Sequence, residues 1–208
     1  MLLFVINEIN TPEILIPKRK VVMINNVAVI GAGNGGKASA VDLKLHGKHV
    51  RLFEFPECRA NIEGLIENPI LTATGAVNGE TRLDMVTTDL SEAVSGADTI
   101  MVCTQALVHE RIAKELAPFV QPHQLIILNP GSTGGSLLLA KVLREFGLKK
   151  LPVIVETATL TYGCRAKGST VEIAVKVNRV VYGTLPASAM GGVCGELEAL
   201  YPGLVRGA

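Results

Sequence analysis

The chain has 208 residues, 48% of them hydrophobic and 19% charged, and a net charge of +1. That is the balance of a globular protein, not a disordered or fibrous one, and it gives no electrostatic basis for nucleic acid or an anionic membrane as partner. Cys58, Cys103, Cys164 and Cys194 stand singly, without C-x-x-C or zinc-type histidine spacing. This predicts reduced thiols in a cytoplasmic protein and no metal site.

Residues 1–22 fall outside the pattern that follows. The apolar run "MLLFVI" has no basic residues before it and no small-residue cleavage site after it, so it makes a poor secretory signal. It is also far short of the roughly 20 apolar residues that span a bilayer. "TPEILIPKRK" adds two prolines and a basic triplet, and the whole stretch is expected to be a mobile extension without a functional role. The domain is expected to begin at Met23.

From Asn26 strands and helices alternate. "NVAVIG" is a β-branched run of the buried parallel type. "NGGKASAVDLKLHG" places Ala38, Val41 and Leu45 on one helical face, with Gly47 as its stop. "KHVRLFEF" predicts a strand, and Pro56 starts a helical stretch to about Ile66. An excursion follows, with a turn at Asn78–Gly79 and a strand around Arg82–Val86. Asp89 caps a short helix. "DTIMVCT", "QLIILN" and "LPVIVET" are strands, alternating with helices over "ALVHERIAKELAPFV" and "STGGSLLLAKVLREFG". Residues 169–185 read as two more strands closing the domain, and "PASAMGGVCGELEALYP" as a helix leading away. The pattern predicts a doubly wound α/β, Rossmann-type domain with a mainly parallel sheet over 23–185. Residues 186–208 are expected to start a connection to further structure.

The glycines of "VAVIGAGNGG" are spaced G-x-G-x-x-G where a strand hands over to a helix. Gly31 permits the tight turn, Gly33 lets backbone approach a pyrophosphate, and Gly36 lets the helix sit close to the strand. The helix N-terminus offers free N–H groups to phosphates. Glu54 ends the next strand about 20 residues on, the spacing of a ribose-binding carboxylate. Such a carboxylate favours NAD, since it repels a 2′-phosphate, although the nearby Arg51 and Arg59 leave NADP open. Two more loops lie beyond strand ends, "CTQALVHE" and "NPGSTGG". Asn129-Pro130-Gly131 forms a turn there, and Ser132 or Thr133 can cap the next helix. His109, early in its helix, reads as a surface residue.

"VAVIGAGNGG", "TQALVHERIAKELAP", "QLIILNPGSTGG" and "ETATLTYGCR", in that order, resemble the NAD/NADP octopine/nopaline (opine) dehydrogenase family. The resemblance runs from about Asn26 to the end of the chain. It implies reductive condensation of an amino acid with a 2-oxo acid, small molecules both. It also implies a cofactor site at Gly31, Ala32, Gly33, Asn34, Gly35, Gly36 and Glu54, with Thr104, Gln105 and Ala106 along its middle and Asn129 and Pro130 toward the nicotinamide. Enzymes of this family carry a helical second domain with a histidine–aspartate relay. The chain stops at "LYPGLVRGA", where that domain is expected to begin, and none of His46, His49, His109 or His123 matches the relay histidine. No catalytic residue is therefore assigned, and an apolar seam left for the second domain predicts self-association. Two other readings stand beside this one. The first is a two-domain dehydrogenase of ketopantoate-reductase-like or glycerol-3-phosphate-dehydrogenase-like plan, and the second is a non-catalytic NAD(H)-sensing module.

Overall fold

Along β1 (Asn26–Ile30) successive side chains enter different cores, Val27 and Val29 one, Ala28 and Ile30 the other. A strand buried this way must have layers on both faces, because its side chains alternate. The computed structural model describes residues 23–207, so the expected extension at 1–22 lies outside the described residues.

After β1 come α1 (Asn34–Leu45), β2 (His49–Phe53), a 3-10 turn at Pro56–Asn61, α2 (Glu63–Glu67), β3 (Ile70–Gly75), β4 (Gly79–Arg82) and β5 (Met85–Thr87). The chain continues through α3 (Leu90–Val94), β6 (Thr99–Val102), α4 (His109–Leu116), β7 (Leu125–Leu128), α5 (Gly135–Glu145) and β8 (Val153–Thr157). It closes with β9 (Tyr162–Lys167), β10 (Thr170–Lys176), β11 (Val180–Leu185), α6 (Met190–Leu200) and β12 (Leu204–Arg206). The main sheet has eight strands in the order β12-β11-β8-β7-β6-β1-β2-β5, parallel throughout except between β8 and β11. Helices α3, α4 and α5 cover one face through Leu90, Ala93, Ile112, Leu116, Leu139 and Leu143. On the other face, Ala38 and Val41 of α1 and Val193 and Leu197 of α6 join the opposite core. Each leucine, isoleucine or valine among them contributes ~1.5–3 kcal/mol when fully buried. The doubly wound architecture is as the alternation predicts.

The excursion differs from its sequence reading. The single strand expected around Arg82–Val86 breaks at Leu83 and Asp84 into β4 and β5, which belong to different sheets. β3 and β4 form a hairpin around the expected Asn78–Gly79 turn and pair with β10 and β9 in a second sheet of four strands, order β4-β3-β10-β9. Of the two strands expected over 169–185, only β11 joins the main sheet. Within 186–207, in the stretch expected as the start of a connection, lie α6 and β12, and β12 adds a parallel edge strand beside β11.

Helix α1 lies between the two sheets, which explains why even its polar Lys37, Ser39 and Asp42 are buried. Ser39 meets Cys103 beyond β6, and the polar ends of Lys37 and Asp42 are met by the second sheet. Lys37 Nζ donates to the Gly168 carbonyl at 2.7 Å, and the buried Asp42 carboxylate accepts from Tyr162 Oη at 2.6 Å and pairs with Lys176 Nζ at 2.8 Å. Without such partners a buried charge would be costly. The helix ends at His46, where Gly47 turns at φ +76° as expected. Among the described residues no helix is long and apolar enough to cross a membrane.

Candidate functional site

β1 and β6 are neighbours from which the chain winds outward in opposite directions. In open α/β sheets ligands bind in the crevice at that switch point, beyond the carboxyl ends of the strands. Gly31 leaves β1 at φ +96° with its N–H on the Phe53 carbonyl, and a Cβ there would come within 2.7 Å of Thr104 Cγ2. A Cβ on Gly36 would overlap the Gly31 carbonyl oxygen, so the turn of the loop and the approach of α1 both require glycine. Gly33 is different: nothing lies within 4 Å of where its Cβ would be. It stands at the N-cap of α1, with no side-chain cap and no acidic residue in the first turn. The first amides of a helix have no intrahelical partner, so this end presents donors and partial positive charge to open space.

All the expected site residues except Ala32 and Gly36 line one cleft of about 730 Å³. Ala32 and Gly36 lie behind it. Ala32 donates its N–H to Glu54 Oε2 at 3.0 Å, and Gly36 packs against the loop. Glu54 also accepts from Asn61 Nδ2 at 2.9 Å and from Phe55 N at 3.0 Å, so its buried carboxylate pins the glycine loop to the turn after β2. A carboxylate offers about four lone-pair sites, which leaves it room for a ribose hydroxyl. The cradle at Gly33, the uncapped helix and Glu54 together fit the pyrophosphate and ribose of a dinucleotide.

Asn129 is buried with its amide turned inward. Nδ2 donates to Thr161 Oγ1 at 3.0 Å, and Oδ1 accepts from Thr161 N at 3.1 Å. Its side chain thereby holds the segment that brings Leu160 to the cleft wall against Gly35. Cys103 lines the cleft floor beside Ser39, and burial pushes its thiol up to about 12, which removes it as a nucleophile. Among the described residues lining the cleft there is no histidine.

Two sequence readings are corrected at the "NPGSTGG" loop and its neighbour. Neither Ser132 nor Thr133 caps α5; both are exposed, at φ 54° and 63°. Glu156, reaching over from the end of β8, takes the cap instead, accepting from Gly134 N and Ser136 N at 2.8 Å each. Burial acts to raise its pKa, but the hydrogen bonds from Ser136, Gly134 and Gly135 outweigh that and hold it below the ordinary glutamate value. His109 is not a surface residue. It is fully buried against Gly135, and its two ring nitrogens, like Thr104 Oγ1, have no hydrogen-bond partner among the described residues. Burial lowers its pKa against the opposing effects of Glu156 and the Thr104 backbone, which favours the neutral imidazole.

Phe55, Glu57 and Arg111 also line the cleft, and sequence reasoning did not find them. Arg111 lies 4.1 Å over the Phe55 ring, hydrogen-bonds Glu57, and donates Nε to Glu115 Oε1 at 2.7 Å. The hydrogen bond from Arg111 holds the Glu57 carboxyl below its ordinary value. The i, i+4 spacing of Arg111 and Glu115 was a sequence signal for their pairing; the contact with Glu57 was not. Of the arginines weighed for cofactor choice, Arg51 is spent on the Ser95 and Glu92 carbonyls, and Arg59 is exposed outside the cleft.

A glycine turn feeding an open helix N-terminus at the switch point of a doubly wound sheet defines an NAD(P)-binding Rossmann domain. Residues 26–156 match the family model for the N-terminus of NAD-dependent glycerol-3-phosphate dehydrogenase. The chain is 34% identical over 178 residues to an opine dehydrogenase of Arthrobacter sp. (strain 1C), a match covering 84% of this chain and 48% of that protein. It is 28% identical over 162 residues to the octopine dehydrogenase of Pecten maximus, covering 73% and 40%. A solved octopine dehydrogenase with NADH and agmatine superposes with a TM-score of 0.71 at 23% identity, covering 88% of this chain and 48% of that one, which shows the shared fold. The chain belongs to the family of that N-terminal model, as an NAD-binding domain, and its curated relatives are opine dehydrogenases. It spans about half the length of the curated relatives it matches.

Proposed function

We propose that this chain is the cofactor-binding part of a cytoplasmic enzyme that joins an amino acid to a 2-oxo acid by reductive condensation, with NADH preferred. The observation that carries this reading is the single cleft in which the open end of α1, Glu54, the 104–106 loop and Asn129–Pro130 meet. A dinucleotide bound there supplies a hydride. The residues of this chain do the rest of the holding: the amides at Gly33–Gly35 take the pyrophosphate, Glu54 takes a ribose hydroxyl, and Leu160 and Pro130 wall the cleft against water. The substrate class is supported by the solved octopine dehydrogenase, which is known with NADH and pyruvate and with NADH and L-arginine. The four free cysteines suit a reducing compartment.

Calorimetric titration of the 208-residue chain with NADH tests the cofactor reading, and saturable binding is expected. Turnover is a separate matter. General acid–base groups contribute ~10²–10⁴-fold, and no histidine lines the cleft among the described residues. With pyruvate and a panel of amino acids, this chain alone is expected to leave nicotinamide absorbance unchanged. Steady oxidation requiring both substrates would show that it holds a proton donor of its own.

A further inference from the structure

We propose that Arg111 sets the balance between NADH and NADPH in this cleft, and that Glu57 holds it on the NADH side. The inference rests on reading the cleft as a dinucleotide site. Among the described residues lining the cleft, Arg111 is the one cationic side chain, and it stands with Phe55 and Glu57 next to Glu54. A guanidinium is a rigid fork of five donors that suits a phosphate bidentately. Here that fork is committed elsewhere. One face lies on Phe55, Nε is on Glu115, and Nη1 is on Glu57. Glu54, Glu57 and Glu115 outnumber the two cations that act here, Arg111 and the Lys37 that interacts with Glu54. A neutral 2′-hydroxyl is compatible with that field, and a 2′-phosphate must compete with Glu57 for the arginine.

Both partners of the latch are about half exposed, at 46% for the Arg111 side chain and 52% for that of Glu57, so Glu57→Gln costs the fold little. The substitution keeps the shape, removes one negative charge and leaves Nη1 on a weaker, neutral acceptor from which a phosphate can take it. The test is titration of wild type, Glu57→Gln and the double variant Glu57→Gln/Arg111→Met with NADH and NADPH, following nicotinamide fluorescence. Glu57→Gln is expected to raise NADPH affinity relative to NADH by about tenfold, of the order a charged hydrogen bond provides. The double variant should lose that gain. Glu115→Gln, which loosens the same guanidinium from outside the cleft, should shift the ratio the same way but less, and it serves if Glu57→Gln does not fold. A ratio within about twofold of wild type in Glu57→Gln, or a gain that survives loss of Arg111, overturns the proposal while leaving the cofactor site standing. A wild-type chain that binds neither nucleotide overturns the cofactor reading and this proposal together.

Discussion

Helices α1 and α5 both start from glycine-rich loops beyond the carboxyl ends of strands of the main sheet, and in the sequence "GAGNGG" and "GSTGG" look alike. In the folded chain they are opposites. The start of α1 carries no cap and faces a cleft, whereas the start of α5 is sealed by the Glu156 carboxylate, with Gly134 as its N-cap residue. Both ends have the same unpaired amides and the same partial positive charge. What separates them is whether the protein supplies the anion itself. An open end leaves room for a ligand's anion, and a filled one is a structural joint that fixes the Asn129–Gly134 loop.

The sharpest way to break this contrast is to block the open end. Gly33 has ordinary extended backbone, φ −72° and ψ −166°, and free space around it, so Gly33→Val should fold normally. Its side chain would occupy the place proposed for the pyrophosphate, and NADH affinity is expected to fall by roughly a hundredfold or more. Unchanged affinity, measured by calorimetry, would remove α1 from the cofactor site. Next in size is Glu54→Ala. It deletes both the proposed ribose acceptor and the pin on Ala32 N, so NADH binding should weaken by about tenfold. NADPH should weaken less, which narrows the preference.

At the filled end the expected effects are on stability. Glu156→Gln should lower it by about 1 kcal/mol at neutral pH, the usual scale of a lost helix cap. The pKa of Glu156 is depressed in the folded state, so its contribution is full above the ordinary value of 4.5 and fades as pH falls through the folded value. Urea melts of wild type and variant should therefore differ at pH 7 and converge in acid. Parallel curves at all pH values would mean the carboxylate charge is not what seals α5. The smallest effect is expected at Thr133, a β-branched residue in left-handed backbone whose side chain does not cap the helix. Thr133→Gly should be neutral or more stable by at most about 1 kcal/mol in the same melts. A clear loss would show that the hydroxyl has a role after all.

What the sequence made legible follows from locality. β1, β6, β7 and β8 are short apolar runs whose burial is written in their own residues, and the role of the glycine turn is fixed by neighbours a few positions away. β3 was not legible, because "ILTATG" carries a weak pattern and, besides the nearby β4, its partner β10 lies some hundred residues on. The cap on α5 was misread for the same reason. Serine and threonine beside a helix start are good local caps, and nothing local shows that Glu156 arrives from another strand. His109 was misplaced because its burial depends on Gly135, whose missing side chain makes room for the imidazole. Arg111 looks like any exposed helical arginine until the turn after β2 brings Phe55 and Glu57 beneath it.

The two sheets are joined through the polar side chains of α1. Asn34 Oδ1 accepts from Ala166 N at 2.8 Å, Lys37 reaches Gly168, and Asp42 holds Tyr162 and Lys176. These ties run along a single helix from its first residue to its third turn, so α1 is a keel to which the whole second sheet is fastened. Segments fastened to one element open together, as a cooperative unit. Amide hydrogens of β3, β9 and β10 should therefore exchange in step with those of α1. Because the first tie is made by a residue of the glycine loop, occupancy of the cleft should slow exchange in strands that never touch the nucleotide.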